Sequence, residues 1–376
     1  MRKKIMRLLL PAAIGLLSLQ GLSSIEAGAS ETNSTTFPVV FAHGLGGIDD
    51  IFGFHYFGDD YGAFVGNPCR SASGWQPGCN PGLAPNQQTF AARLTPFQSS
   101  EIRGTELANE IESYMATVGV QQVNIIGHSQ GGSDARKAAH VLRARSGRQV
   151  VRVLFTVSTP HRGSPVALSV LSLGPAAQIV DFLATVFGNI VYGERNDGYA
   201  AAKQLVYTDV NPGDDVLTGM QAFNENYPNS PNVAERYVSV VTAQRGVTLT
   251  PGLALLKALV DIDGDGACPG DCDGDGAGGG GDGRRDDLDD DGLVGINSQQ
   301  NGYRLKYNTC FLCPDSFTTQ VSLGYAADAN RPNRQQMSSS AAILVQDHLD
   351  VIGVGPDTFD EREFYAAAIR YIADYD

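Results

Sequence analysis

The sequence is short of positive charge. Its 27 lysines and arginines are outnumbered by 41 aspartates and glutamates, which leaves a formal net charge of −14 at pH 7. A protein that binds nucleic acid needs a basic face to neutralise phosphates. We therefore expect no nucleic-acid partner for this chain.

Uninterrupted apolar runs long enough to span a membrane are also missing. The apolar run at 8–19 is shorter than the roughly 20 residues that a membrane-spanning helix needs. It follows a basic start and precedes small residues at 27–29, the pattern of a secretory signal peptide. We expect residues 1–29 to be cleaved, which removes a net +3 and changes −14 to −17. The domain at 30–376 would then be secreted, with no stable membrane anchor.

Cysteine is scarce, but the count is even. All six cysteines follow the expected cleavage site: Cys69, Cys79, Cys268, Cys272, Cys310 and Cys313. An even number in an exported chain is typical of disulfides. A zinc site is the alternative, although the last two pairs have unequal spacing and fit a metal knuckle loosely. We expect a local bridge within the surface loop at 66–88, and the pairing of the other four stays open.

Apolar runs alternate with segments of helical spacing. Four runs predict buried strands: 37–41, 123–126, 150–157 and 233–241. Three segments predict helices: 101–118, 133–145 and 360–371. Strands that alternate with helices predict an α/β fold with a parallel sheet. Such sheets carry their active sites at the carboxyl ends of the strands.

The second of these strands runs into a motif with a chemical meaning. Gly127-His128-Ser129-Gln130-Gly131 follows the strand and opens a helix, as a nucleophile elbow does. The glycines let strand and helix approach each other. The serine oxygen then lies at the helix N-terminus, where backbone N–H groups favour a developing negative charge. The motif predicts a catalytic nucleophile, and its alternative is a glycine-rich turn with an incidental serine.

Histidine is scarce enough to identify the base that such a serine needs. Only His140, His161 and His348 follow Ser129, and in this fold the acid stands between the serine and the histidine. His161 leaves too little chain for that acid, so we expect His348 as the base. Asp291 is the preferred acid, because a turn glycine and apolar anchors follow it. Its alternative is a calcium ligand at the end of an acidic run.

That acidic run, at 261–290, differs from the rest of the chain. Together with Asp291 it holds 12 aspartates against two arginines, so it cannot bury a core and needs a counter-ion to be ordered. Aspartates alternate before glycine in two copies ten residues apart: Asp261, Asp263 and Asp265, then Asp271, Asp273 and Asp275. Alternating carboxylates before a turn glycine are typical of calcium loops. We expect calcium here, with a solvated acidic loop as the alternative.

Several segments, taken together, resemble one known family. They are 38–47, 56–58, Glu101-Ile102-Arg103-Gly104, 123–132, 159–164, 291–294 and 348–350. They resemble the secreted true lipases of proteobacteria such as Pseudomonas and Burkholderia. The resemblance implies an α/β-hydrolase, with a mostly parallel central sheet flanked by helices and a helical lid insertion. The acidic insert is this chain's own addition.

The resemblance also implies a role for individual residues. Ser129 matches the nucleophile, Asp291 the acid and His348 the base of a triad. Leu45 and Gln130 match the residues whose backbone N–H groups form the oxyanion hole. The region 165–232 corresponds to the lid, although on sequence alone its apolar part reads equally as a core helix pair.

A calcium ion and a folding chaperone are further implications of the resemblance. Asp350 matches one ligand of a structural calcium near the catalytic histidine. The family's glutamine six residues after that histidine is Val354 here, so this chain departs from the usual site. Members of the family often need a lipase-specific chaperone, and we expect one as a partner.

The resulting hypothesis is a triacylglycerol lipase that hydrolyses carboxylic esters of acylglycerols at an oil–water interface through an acyl-enzyme. A carboxylesterase or polyester depolymerase with the same triad is the alternative. A calcium-dependent binding or adhesion protein on an inactive hydrolase fold is a third hypothesis, which the acidic repeats motivate.

Overall fold

The structure is a computed structural model. It describes residues 34–47, 69–71, 74–76, 87–172, 197–209, 218–246, 248–262, 289–308, 316–321, 328–329, 343–353 and 361–376. The predicted signal peptide, five of the six cysteines and the acidic repeats after Ile262 lie outside the described residues. All described residues belong to one unit, Thr32–Asp376.

The described strands, in chain order, are β1 (Val39–Ala42), β2 (Cys69–Ser71), β3 (Gly74–Gln76), β4 (Thr89–Ala91), β5 (Val123–His128), β6 (Val151–Val157), β7 (Ala234–Thr242), β8 (Tyr303–Asn308), β9 (Ser316–Val321), β10 (Asp328–Ala329) and β11 (Ile343–Leu344). The helices are α1 (Ser100–Val118), α2 (Gln130–Ser146), α3 (Pro165–Ser172), α4 (Gly198–Gln204), α5 (Met220–Asn226), α6 (Pro251–Leu259), α7 (Ile296–Gln299) and α8 (Glu361–Ala373), with a 3₁₀ turn at Asp350–Ile352.

The central sheet is parallel, as the alternation of strands and helices predicts. Its order is β10-β7-β6-β5-β1-β4, and β11 also pairs with β7. Every pairing in it is parallel. The strands read as continuous apolar runs because both faces of the sheet are covered. The α/β fold class is therefore confirmed.

Neighbouring residues of each strand supply opposite faces of the sheet. Phe41 and Ile126 pack on one face with Phe155 and the buried side of α8. On the other face, Val40 and Ile125 pack against α1 and α2. This two-sided core leaves the carboxyl ends of β1, β5, β6 and β7 at one edge, where their loops meet.

Two segments differ from the sequence prediction. The expected surface loop at 66–88 contains an antiparallel hairpin, in which Cys69 of β2 pairs with Gln76 of β3. Helix α2 begins at Gln130, three residues before the predicted start at Ser133, because Gly131 and Gly132 read as loop formers. Both glycines lie inside the helix. They are needed there because Ala42 and Thr159 lie too close to leave room for a side chain.

The region expected to form a lid is described only in part. Helix α3 buries Val166, Ala167 and Val170 and exposes Leu168. Within the described ranges, no helix is both long enough and apolar enough to cross a membrane.

Gly131→Ala tests the packing that surrounds the start of α2. A Cβ atom there would lie 2.2 Å from the Ala42 carbonyl oxygen, which is backbone and cannot turn away. We expect the variant to lose about 1–3 kcal/mol of unfolding free energy, measured in urea. Gly252→Ala is the matched control. It adds the same methyl group to a helix where nothing lies within 4 Å, and should gain up to about 1 kcal/mol. Equal effects would contradict this account.

Candidate active site

Ser129 lies in a strained turn between β5 and α2. Its φ is 54° and its ψ −133°, a backbone conformation that residues other than glycine seldom adopt. Crowding holds it there. A Cβ on Gly127 would lie 2.6 Å from the Gly131 oxygen, and one on Gly132 would lie 2.1 Å from Thr159 Oγ1. Only glycines allow this approach, so the turn presents the serine oxygen at the start of α2.

The structure brings the three predicted triad residues into one hydrogen-bonded chain. His348 Nε2 lies 2.8 Å from Ser129 Oγ, and His348 Nδ1 lies 2.8 Å from Asp291 Oδ2. The three side chains come from segments 219 and 57 residues apart and are all buried. A hydroxyl, an imidazole and a carboxylate in this order can activate the hydroxyl as a nucleophile.

The Asp291 carboxylate accepts hydrogen bonds on both oxygens. Oδ1 accepts from the backbone N–H groups of Leu293 at 3.1 Å and Val294 at 2.8 Å, in a tight turn after the aspartate. Oδ2 accepts from Thr242 Oγ1 at 2.9 Å and from Gln299 Nε2 at 3.3 Å, besides facing His348. These donors fix the carboxylate and leave one direction for the imidazole.

Sequence reasoning missed Thr242 and Gln299. Gln299 holds Thr242 through both atoms of its amide: Oε1 accepts from the Thr242 N–H at 2.7 Å, and Nε2 donates to the Thr242 oxygen at 2.9 Å. Thr242 ends β7, so its place at the carboxyl end of a strand was a usable signal. Nothing in the sequence around Gln299 singles it out.

The imidazole of His128 lies beside the predicted base, His348, and is uncharged. The ring centroids of His128 and His348 are 4.8 Å apart. Burial first, and the neighbouring His348 second, lower the pKa of His128 well below its usual value. His128 is therefore neutral at pH 7. An imidazolium at His348 would face no like charge from it.

The loop after β1 carries Leu45, a predicted oxyanion residue. Arg103 of α1 holds this loop by donating from Nη2 to the backbone oxygens of His43 at 2.6 Å and Gly44 at 3.1 Å. Gln130 opens α2. Among the described residues, neither the Leu45 nor the Gln130 backbone N–H is paired with another group. Both remain available to a negatively charged oxygen.

His43 stiffens the same loop as a neutral imidazole. Burial first, and then the charge of Arg103, lower its pKa to about 3. The Leu94 N–H donates to His43 Nε2 at 3.2 Å, so the ring proton is on Nδ1 and is donated to the Gly44 oxygen at 2.9 Å.

Arg103 is fully buried and pairs with Asp134 of α2, with Nε 2.7 Å from Oδ2. Burial raises the pKa of Asp134 to about 6, which still leaves it ionised at pH 7. The sequence held a signal for this pair. Arg103 stands four residues before Leu107 and eight before Ile111, on the buried face of α1, where an arginine needs a partner.

An apolar cavity of about 50 Å³ opens beside Ser129. It is lined by Leu45, Ser129, Pro160, Ser164, Val166, Ala167, Val170, Gly198, Ala202, Leu205, Leu293 and Val294. A larger cavity, about 420 Å³, lies behind the loop at 160–163 and is lined by Arg136, His161, Arg162 and several amides. It does not touch Ser129. We assign the chemistry to the smaller cavity for that reason.

The predicted calcium ligands fall into two groups. Asp350 and Asp261 are described, and Asp350 is buried in the 3₁₀ turn after His348. Asp263, Asp265, Asp271, Asp273 and Asp275 lie outside the described residues. In the described part of the chain, no three acidic, histidine or cysteine side chains form a metal-binding group.

Comparison with known sequences points to one kind of enzyme. A triacylglycerol lipase of Burkholderia plantarii is 26% identical over 61% of this chain and 61% of its own. One of Vibrio cholerae is 30% identical over 43% of this chain and 47% of its own. The resemblance to bacterial triacylglycerol lipases is confirmed. The chain spans about three fifths of the first of these relatives, and no family model matches it.

Comparison with solved structures concerns the fold. The crystal structure of Staphylococcus hyicus lipase aligns with a TM-score of 0.50 at 15% identity, over 92% of this chain and 97% of that one. The chain has the α/β-hydrolase fold. At this identity the likeness concerns the fold alone.

Asp134→Asn tests the support that Arg103 gives to the loop carrying Leu45. It leaves the Arg103 charge buried without a counter-ion, so we expect unfolding free energy to fall by about 3–5 kcal/mol. Glu112→Gln is the control. It breaks an ion pair with Arg145 in which the side chains are 43% and 40% exposed, and should cost less than about 1 kcal/mol. Urea unfolding of both variants measures the difference, and similar losses would contradict the proposed support.

Proposed function

We propose that this protein is a serine carboxylic-ester hydrolase that acts on acylglycerols. The observation that carries the proposal is the hydrogen-bonded chain from Ser129 through His348 to Asp291 beside an apolar cavity. The similarity to triacylglycerol lipases supports the acylglycerol as the substrate class.

In the proposed mechanism, Ser129 Oγ attacks the ester carbonyl while His348 Nε2 takes its proton. Asp291 keeps the imidazole in the required tautomer, because the Nδ1–H of His348 donates to the Asp291 carboxylate. His348 then gives the proton to the departing alcohol, and an acyl-enzyme remains. Water then attacks the acyl group while His348 takes its proton. His348 returns the proton to Ser129 Oγ, and the carboxylic acid is released.

The backbone N–H groups of Leu45 and Gln130 are proposed to bind the oxyanion of each tetrahedral intermediate. Their unpaired state among the described residues supports this, as do the place of Leu45 in the lining of the cavity and that of Gln130 directly after Ser129. Losing one donor of an oxyanion hole costs about 3–4 kcal/mol of transition-state stabilisation. Arg103 contributes by holding the Leu45 loop, without touching the substrate.

The size of the cavity bears on the substrate. Binding sites for small molecules usually measure roughly 300–1,000 Å³, so 50 Å³ is too small for a long acyl chain. We propose that α3 and α4 move to admit one, since their residues line the cavity while Leu168 and Tyr199 are exposed for contact with lipid. The same small volume favours a carboxylesterase for short esters as the second candidate.

Four further expectations stay proposals. We propose that residues 1–29 direct secretion and that a lipase-specific chaperone assists folding. We also propose disulfides among the six cysteines and calcium on the acidic insert. The sequence patterns and the resemblance support all four.

Ser129→Ala should abolish ester hydrolysis and labelling by a fluorophosphonate. Asp291→Asn should lower kcat by about 10⁴-fold while the protein stays folded, because the imidazole loses its required tautomer. Asp289→Asn is the matched control. It removes a carboxylate two residues away that pairs with Lys257 at 3.4 Å, and should keep most of the activity. If Ser129→Ala hydrolysed esters at the wild-type rate, the proposed function would be wrong.

A series of nitrophenyl esters of increasing chain length tests the substrate, with Ser129→Ala as the blank. A lipase should prefer long chains and become more active when an emulsion surface is present, because α3 and α4 open there. Preference for the shortest ester, with no response to the emulsion, would instead support the carboxylesterase.

A further inference from the structure

The loop that carries His348 is anchored by an aspartate that the mechanism does not use. Asp347 directly precedes His348 and is buried. Its Oδ1 accepts from the backbone N–H groups of Leu349 at 2.8 Å and Asp350 at 2.7 Å. These bonds span His348 from one side to the other, so they fix the backbone from which the imidazole extends.

The other oxygen of the same carboxylate reaches a different part of the chain. Asp347 Oδ2 accepts from both the backbone N–H and the Oγ1 of Thr250, each at 2.7 Å. Thr250 lies 97 residues earlier, at the start of α6. One buried carboxylate thus receives four donors and ties the histidine loop to α6, and each such charge-assisted bond is stronger than a neutral one.

Thr250 makes this contact instead of an ordinary local one. It is the N-cap residue of α6, where a threonine hydroxyl usually accepts from its own helix. Here the side chain makes no such cap hydrogen bond and donates to Asp347. Helix α6 therefore lacks a side-chain cap at its N-terminus, and the Thr250 hydroxyl instead anchors the loop that carries His348.

We propose that Asp347 and Thr250 form a clamp that positions His348 for proton transfer to and from Ser129. The inference rests on the proposed function. Neither clamp residue lines the cavity beside Ser129, so the clamp acts on the histidine rather than on substrate binding. Small displacements of a catalytic group are costly, since a misplacement of about 1 Å can lower the rate about 100-fold.

The test compares Thr250→Val, which removes only the hydroxyl, with Thr250→Ser, which keeps it. The valine variant should lower kcat on a soluble nitrophenyl ester by about tenfold, with KM unchanged, and slow fluorophosphonate labelling to the same degree. The serine variant should restore both rates. Thr248→Val is the matched control, because its exposed hydroxyl donates to the nearby Arg245 oxygen, on the surface.

A double substitution separates the clamp from general stability. Asp347→Asn should lower kcat further, and adding Thr250→Val to it should have no additional effect, because both act through one contact. Thermal melting identifies variants that fail to fold. If the double variant does not fold, the comparison of valine with serine at position 250 decides alone.

The outcomes are distinguishable. Wild-type kcat and labelling rates in Thr250→Val, with an active wild-type enzyme, would overturn the clamp and leave the proposed function intact. A rise in KM without a change in kcat would also overturn it. Absence of labelling at Ser129 in the wild type would overturn the proposed function and the clamp with it.

Discussion

The close contact of backbone around Ser129 is the constraint on which the rest of the site depends. Helix α2 approaches the end of β1 so closely that Gly131 has no space for a methyl group. This contact holds Ser129 in its strained conformation and brings the start of the loop that carries Leu45 close to the start of α2. Any looser packing would let the turn relax, and the serine oxygen would no longer face His348.

Three charged groups around this turn are buried, and each has several hydrogen-bond partners. Arg103 donates to four backbone oxygens and to Asp134, Asp291 accepts from five donors, and Asp347 accepts from four. Buried charges are tolerable only when hydrogen bonds replace the lost water. The same bonds fix the direction of each loop, so the need to satisfy charge also gives the site its rigidity.

Much of this could be predicted from local patterns. The apolar runs identified β1, β5, β6 and β7 because strands buried on both faces leave a continuous signal in sequence. The glycines around Ser129 identified the turn, since few other residues fit there. The hairpin within 66–88 and the early start of α2 were missed, because glycine and polar residues signal loops unless a tertiary contact requires them.

By itself, the sequence determined the fold class, the tight turn around Ser129 and, through its few histidines, the choice of His348 as the predicted base. These features depend on periodicity, on local sterics and on chain order, which are all linear properties. Only the tertiary structure decided which side chains surround Asp291 and His348. Thr242 and Thr250 are ordinary polar residues that lie 49 and 97 residues from the aspartates they contact, and Gln299 lies eight residues after Asp291 with no motif around it. Their function arises only where folding brings donors to a buried carboxylate.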